Sequence, residues 1–212
     1  LLVVEVWLVF RPTIVERAKS DRGFAGFLYK ILSLGTREIT PGARAVDEWM
    51  IRALAIAGIP IACVLHGYVG FLFGAIKANP WWSTALMPVI FLVSAIVSGI
   101  AALLVLYLFA CWRRGQKADP DCVRSLSRYL WVFLIAAVAI EMLELVHMAY
   151  EGGGEWHVIS ALLSERLAVS YGLVQVLIGS LCPFLLLLLA MTPGISPRWI
   201  SRLSGLAAVL VL

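Results

Sequence analysis

Glu141, Glu144 and His147 stand three residues apart in E-M-L-E-L-V-H, inside an otherwise apolar stretch. On an α-helix each step of three residues swings the side chain by about 60°, so the three groups form one polar stripe along the helix. Carboxylates and an imidazole spaced in this way can hand protons from one to the next, a task for which serine or threonine would not be chosen. The plain alternative is a set of interhelical hydrogen bonds holding a bundle together. The flanks, L-W-V-F-L-I-A-A-V-A-I before and M-A-Y after, read as a membrane-crossing helix. A charge at the centre of such a helix costs roughly 2.5–3.5 kcal/mol, so ionisable groups kept there have a partner or a task.

The helices that must carry these groups follow from composition. Of the 212 residues, 62% are hydrophobic and 14% charged, against roughly 45–50% and 25% in soluble domains. The apolar runs exceed the ~20 residues that span a bilayer. Only closed hydrogen-bonding patterns survive in lipid, and no strand alternation points to a barrel. The expected fold is therefore all-α, a polytopic transmembrane helix bundle, surrounded by membrane lipid and without a nucleic-acid partner. Spans are expected at about residues 1–10, 47–76, 83–112, 128–150, 165–191 and 199–212 of one integral membrane domain covering 1–212. Arg11-Pro12 is expected to stop the first and Thr192-Pro193-Gly194 the fifth. The sequence opens without Met and closes within an apolar run, which reads as incomplete at both ends.

Charge orients the spans. Of 17 Lys and Arg, eight lie between Arg11 and Arg52, five between Arg113 and Arg128, and two at Arg198 and Arg202, leaving only Lys77 and Arg166 in the alternate loops. Such an asymmetry places the basic loops in the cytoplasm. The Asn79-Pro80-Trp81-Trp82 turn and the 151–165 loop then face outward, with Trp81, Trp82, Trp112, Trp156 and Trp199 near span ends as an interfacial belt. Within loop 13–46, G-F-A-G-F-L-Y-K-I-L-S-L reads as an amphipathic helix lying on the inner headgroups.

At a rise of about 1.5 Å per residue, the polar groups gather in the outer half of the bundle. They are Glu141, Glu144 and His147 on the fourth span, and His66 and Tyr68 on the second. On the fifth span Tyr171 and Gln175 share a face at i, i+4, with Gly179 below. His66 and Tyr68 point about 200° apart on a helix, so one of the two is expected to be structural. Each also has an ordinary reading, a satisfied packing histidine and a membrane tyrosine bonded to a neighbour. His66 and His147 lie at similar depth on different helices, which leaves open a b-haem-binding membrane anchor. A small-ion transporter is a further alternative, since Pro60, Pro88 and Pro183 can break spans. Cys63, Cys111, Cys122 and Cys182 are widely spaced, so neither a metal site nor an iron–sulfur cluster is expected in this chain.

The stretch G-I-P-I-A-C-V-L-H-G-Y-V-G-F-L-F-G, followed by N-P-W-W-S-T-A-L-M-P-V-I-F-L-V-S-A-I-V-S-G-I-A, resembles the NrfD/polysulfide reductase membrane subunit family. The pattern is an aromatic-x-Gly, here Tyr68-Val69-Gly70, a short turn ending in Trp, then Pro88, Phe91 and a small-residue run from Ser94 to Gly99. The branch with hydrogenase and sulfite-reduction complexes is the nearest in pattern. The resemblance implies a bundle of about eight to ten helices of which this chain is a piece, on fold analogy alone. It also implies a haem-free subunit of a respiratory oxidoreductase complex in the prokaryotic cytoplasmic (inner) membrane. Such a subunit binds a quinone, menaquinone or ubiquinone, and trades electrons with a ferredoxin-like iron–sulfur subunit. That partner in turn serves further catalytic or cytochrome subunits. The family's tyrosine contact to the quinone maps onto Tyr68, with His66 as the second candidate. The usual Thr of the motif is Val69 here. Glu141, Glu144 and His147 would be the proton relay, supported by Tyr171 and Gln175.

Overall fold

The computed structural model describes residues 2–20, 24–36, 38–76 and 82–212, and every regular element among them is helical. Lys77 and the Asn79-Pro80-Trp81 part of the expected outer turn lie outside the described residues. The packing falls into two units, Leu1–Leu65 and His66–Leu212.

The first unit holds α1 (Leu2–Ser20), α2 (Phe24–Leu32) and the N-terminal part of α3 (Pro41–Gly74). The expected stop at Arg11-Pro12 is not seen, because α1 runs through Pro12 to Ser20. Arg11 lies within the helix with its charge matched. Its guanidinium pairs with the buried Asp47 carboxylate and lies over the Trp7 ring. Trp7 Nε1 in turn donates to the Leu32 carbonyl at 2.8 Å, tying α1 to the end of α2.

The second unit contains the end of α3, then α4 (Met87–Arg113), α5 (Pro120–Glu151), α6 (Gly154–Ala161), α7 (Cys182–Met191) and α8 (Pro197–Val211). Between α6 and α7 the backbone winds more widely, as π-helical turns over Leu162–Arg166 and Ala168–Leu181. The segment expected as an outer loop, 151–165, is thus helical through 154–161 and only Gly152 and Gly153 make the bend. Gly152 closes α5 at φ 61°, a left-handed conformation that glycine adopts without steric cost. At the other end Asp119 caps α5 by accepting from the Asp121 N–H at 3.0 Å, with Pro120 in the first turn where its missing N–H is not needed.

The core of this unit is a stripe of small and branched residues at helical spacing. Val97, Ala101 and Leu104 of α4 meet Val123, Leu130 and Leu134 of α5, Leu187 of α7, and Ile200, Ala207 and Ala208 of α8. Small residues there let the helices approach closely, which is how apolar helices associate where lipid competes equally for apolar contact. A polar contact sits in this core. Ser127 and Ser204 are fully buried with their hydroxyls 2.8 Å apart, and Ser127 donates back to the Val123 carbonyl at 2.7 Å. Large apolar side chains such as Phe71, Leu106 and Val169 are instead exposed on the outside. Among the described residues four helical stretches, Pro41–Gly74, Met87–Arg113, Pro120–Glu151 and Ala168–Met191, are long and apolar enough to cross a membrane.

Candidate functional site

α3 meets α4 through two residues of the aromatic-x-Gly pattern and its following proline. A Cβ on Gly70 would lie 2.6 Å from Pro88 Cα and 2.8 Å from the Met87 carbonyl oxygen, closer than any real Cβ contact, and one on Gly74 would lie 2.7 Å from the Thr84 carbonyl oxygen. The G-x-x-x-G spacing thus brings α3 into direct contact with the start of α4 at Gly70 and with the turn before it at Gly74. One turn away Phe73 stacks on Phe91 at 5.3 Å and meets the edge of Trp82 at 5.3 Å. This seam holds the preceding turn of α3, with Tyr68 57% exposed and His66 half-buried. Tyr68 stands beside Phe71 and Leu72 on a face that is apolar and open.

A second site lies deeper in the unit. α4, α5 and the wide segment 168–181 enclose a cavity of about 230 Å³ lined by Ser94, Ser98, Glu141, Gln175 and Ser180 among apolar side chains. The Tyr171 hydroxyl donates to Glu141 Oε1 over 3.5 Å, a long bond between the wide segment and α5. Tyr171 thus reaches Glu141, and Gln175 lines the cavity with it. Ser94, Ser98 and Ser180 complete the lining. Ser180 was not legible, because nine residues beyond Tyr171 on an α-helix it would point the opposite way. In the wide winding the backbone turns by about 80° per residue, so nine residues complete two turns and Ser180 returns to the face of Tyr171. Its hydroxyl donates to the Gln175 carbonyl, five residues back, at 3.1 Å.

The stripe on α5 divides. Glu141 lines the cavity. Glu144 is 8% exposed, and its Oε1 has no hydrogen-bond partner among the described residues. His147 is largely exposed and its Nε2 lies 3.5 Å from Glu151 Oε1, one turn further on. No hydrogen bond links Glu141 to Glu144 or Glu144 to His147 among the described residues, so any proton passing along the stripe needs water or a side-chain swing. An apolar groove adjoins the cavity and shares Leu134, Val138 and Ser180 with it, reaching Ile135, Val176 and Phe184. Among the described residues no three His, Cys, Asp or Glu side chains are grouped as a metal site.

Helices with small-residue seams and an internal polar cavity define a multi-pass membrane protein, and comparison with known sequences gives its relatives. The family model described as Polysulphide reductase, NrfD matches residues 1–212, and the chain belongs to that family. It is 36% identical over 154 residues to a selenate reductase subunit of Mesobacillus selenatarsenatis, covering 69% of this chain and 34% of that protein. It is 25% identical to protein NrfD of Escherichia coli over 99% of this chain and 59% of that protein. To a polysulfide reductase chain of Wolinella succinogenes it is 26% identical over 75% of its own length and 45% of that protein. The chain thus spans between about a third and three fifths of the length of these relatives.

Proposed function

We propose that this chain is a haem-free quinone- or quinol-binding membrane subunit of a respiratory oxidoreductase complex in the prokaryotic cytoplasmic membrane. It exchanges electrons with a ferredoxin-like iron–sulfur subunit, which serves a catalytic or cytochrome subunit of the same complex. The six apolar segments form one integral membrane domain on this reading. The observation that carries it is the pairing of lipid-accessible donors on α3 with an internal acid-lined cavity in the same unit.

A quinone couples two electrons to two protons, so its site needs hydrogen-bond donors, an apolar slot reached from the bilayer, and a source of protons. The residues fit these needs. Tyr68 is exposed beside Phe71 and Leu72, so its hydroxyl can donate to a carbonyl of a molecule arriving through lipid. His66, half-buried and about 200° around the helix from Tyr68, is the alternative donor. Menaquinone and ubiquinone both present such a carbonyl.

The proton side is supplied by α5 and the wide segment. At about 30 Å³ per water, a cavity of about 230 Å³ has room for several waters, and Glu141, Gln175 and three serines give them partners. Glu141 then exchanges protons with this water, with the Tyr171 hydroxyl against its carboxyl and Gln175 on the facing wall of the cavity. Glu144 and His147 continue the route toward the Glu151 end of the helix. Cavity water is needed because the stripe has gaps that direct hydrogen bonds do not close.

The test is to purify the complex containing this chain and extract its bound lipids. A quinone present in stoichiometric amount, with electron transfer to added quinol analogues, is the expected result. A complex that carries no quinone and neither oxidises nor reduces quinol analogues would overturn the reading.

A further inference from the structure

A cleft of about 330 Å³ lies where the end of α4 and the turn after it meet the start of α8. Its lining combines Lys117, Arg198 and Arg202 with the apolar walls Leu108, Trp112 and Pro197. No carboxylate lines it, and no ion pair engages these three cations among the described residues. Arg202 packs its guanidinium over the Trp199 ring at 5.7 Å, which holds the charge in place without neutralising it. Trp112 and Trp199 are both largely exposed beside it. Paired tryptophans at helix ends mark the level of the lipid headgroups, and the excess of Lys and Arg on these loops assigns this end to the cytoplasmic face.

We infer that this cleft is a binding site for the headgroup of an anionic phospholipid, with the phosphate held by Lys117, Arg198 and Arg202 and the glycerol and upper acyl chains laid against Leu108 and Trp112. Three cations gathered without a counter-charge repel one another, so the cleft is most stable when an anion enters it. A guanidinium offers paired N–H donors matched to phosphate oxygens, and two of the three cations are arginines. The apolar walls separate a lipid from a free phosphate, which would leave them unused. The site is on other elements than the quinone-reactive residues and does not rest on their role.

The test uses the intact complex in nanodiscs. A photoactivatable phosphatidylglycerol should label peptides spanning 108–118 and 197–202, and an excess of unlabelled phosphatidylglycerol should remove the label while phosphatidylcholine or inorganic phosphate does not. After detergent washing, a Lys117→Gln/Arg198→Gln/Arg202→Gln complex should keep at least fivefold less phosphatidylglycerol than the wild type. A control with the same charge change at Arg44, Arg124 and Arg128 should keep it. Label spread evenly over all basic loops, or equal loss in the control, would show diffuse attraction and overturn the proposal. Competition by inorganic phosphate would overturn it in favour of a free-anion site. A triple variant that keeps its lipid but sheds another protein of the complex would overturn it in favour of an acidic protein partner. The labelling arm needs only the wild type, so a variant that fails to fold leaves the proposal exposed to refutation.

Discussion

The Tyr171 hydroxyl and Glu141 Oε1 meet at 3.5 Å across 30 positions of sequence, joining the widely wound segment to α5 at the edge of the polar cavity. This bond ties the cavity carboxylate directly to a neighbouring helix. It is a long contact, and it joins the two elements at the cavity edge.

Removing it should loosen the carboxyl without removing it. A neutral partner of this kind is worth roughly 0.5–1.5 kcal/mol, about two- to tenfold in rate or affinity. Tyr171→Phe is expected to lower quinol-linked turnover of the complex by that factor while assembly stays normal. Turnover equal to the wild type would make Tyr171 a packing residue.

Tyr68 belongs to the other end of the chemistry. In Tyr68→Phe the KM for quinol should rise by a few-fold to about tenfold, the loss of one hydrogen bond, with the subunit still assembled. Steady-state kinetics over a range of quinol concentration decides this. Unchanged kinetics would transfer the donor role to His66.

Gly70 is a test of the seam that supports Tyr68. Gly70→Ala places a methyl group against the backbone of Pro88, which cannot swing aside as a flexible side group would. The variant should assemble poorly, with a marked drop in the yield of folded complex. Gly99→Ala is the matched control on α4, since a Cβ there meets nothing within 4 Å. It should be tolerated, and helix propensity favours it by roughly 0.5–1 kcal/mol.

Glu144 is 8% exposed, with an oxygen that has no partner among the described residues. An orphaned buried acceptor is costly, so it is kept for a purpose or satisfied by a water. Glu144→Gln retains shape and adds a donor but cannot release a proton. It should assemble normally and turn over quinol several-fold more slowly at neutral pH. A wild-type rate across pH 6 to about 8 would reduce Glu144 to bundle packing.

Much of this was legible because membrane helices obey few rules. Apolar length, the 15-to-2 split of basic residues and the interfacial tryptophans locate helices without any knowledge of packing. Gly70 and Pro88 both belong to the pattern that carries the family resemblance, but their close approach comes from the packing of α3 on α4, which the pattern does not state. That Tyr171 and Gln175 share a face was legible from their i, i+4 spacing, whereas their meeting with Glu141 depends on how α5 packs against the wide segment. Pro12 misled because proline ends most helices in water, whereas here α1 continues through it. The 151–165 segment reads as a loop because it lies between two apolar spans, yet it is helical through 154–161 and only Gly152 and Gly153 make the bend. Ser180 stayed hidden because i→i+5 winding has no residue signature comparable to a cap. The His147–Glu151 pair was open to reading at i, i+4, but the i, i+3 stripe drew His147 toward Glu144 instead.

Glu141→Gln gives the most direct test of the whole account, measured as quinol-linked electron transfer by the intact complex between pH 6 and about 8. Glutamine keeps the size of the side chain and its contact with Tyr171 but cannot carry a proton across the cavity. The expected result is a complex that assembles, retains its quinone, and turns over at least tenfold more slowly throughout that range. Turnover at the wild-type rate at every pH, with quinone retained, would contradict the assignment of the cavity as the proton supply of a quinone-reactive subunit.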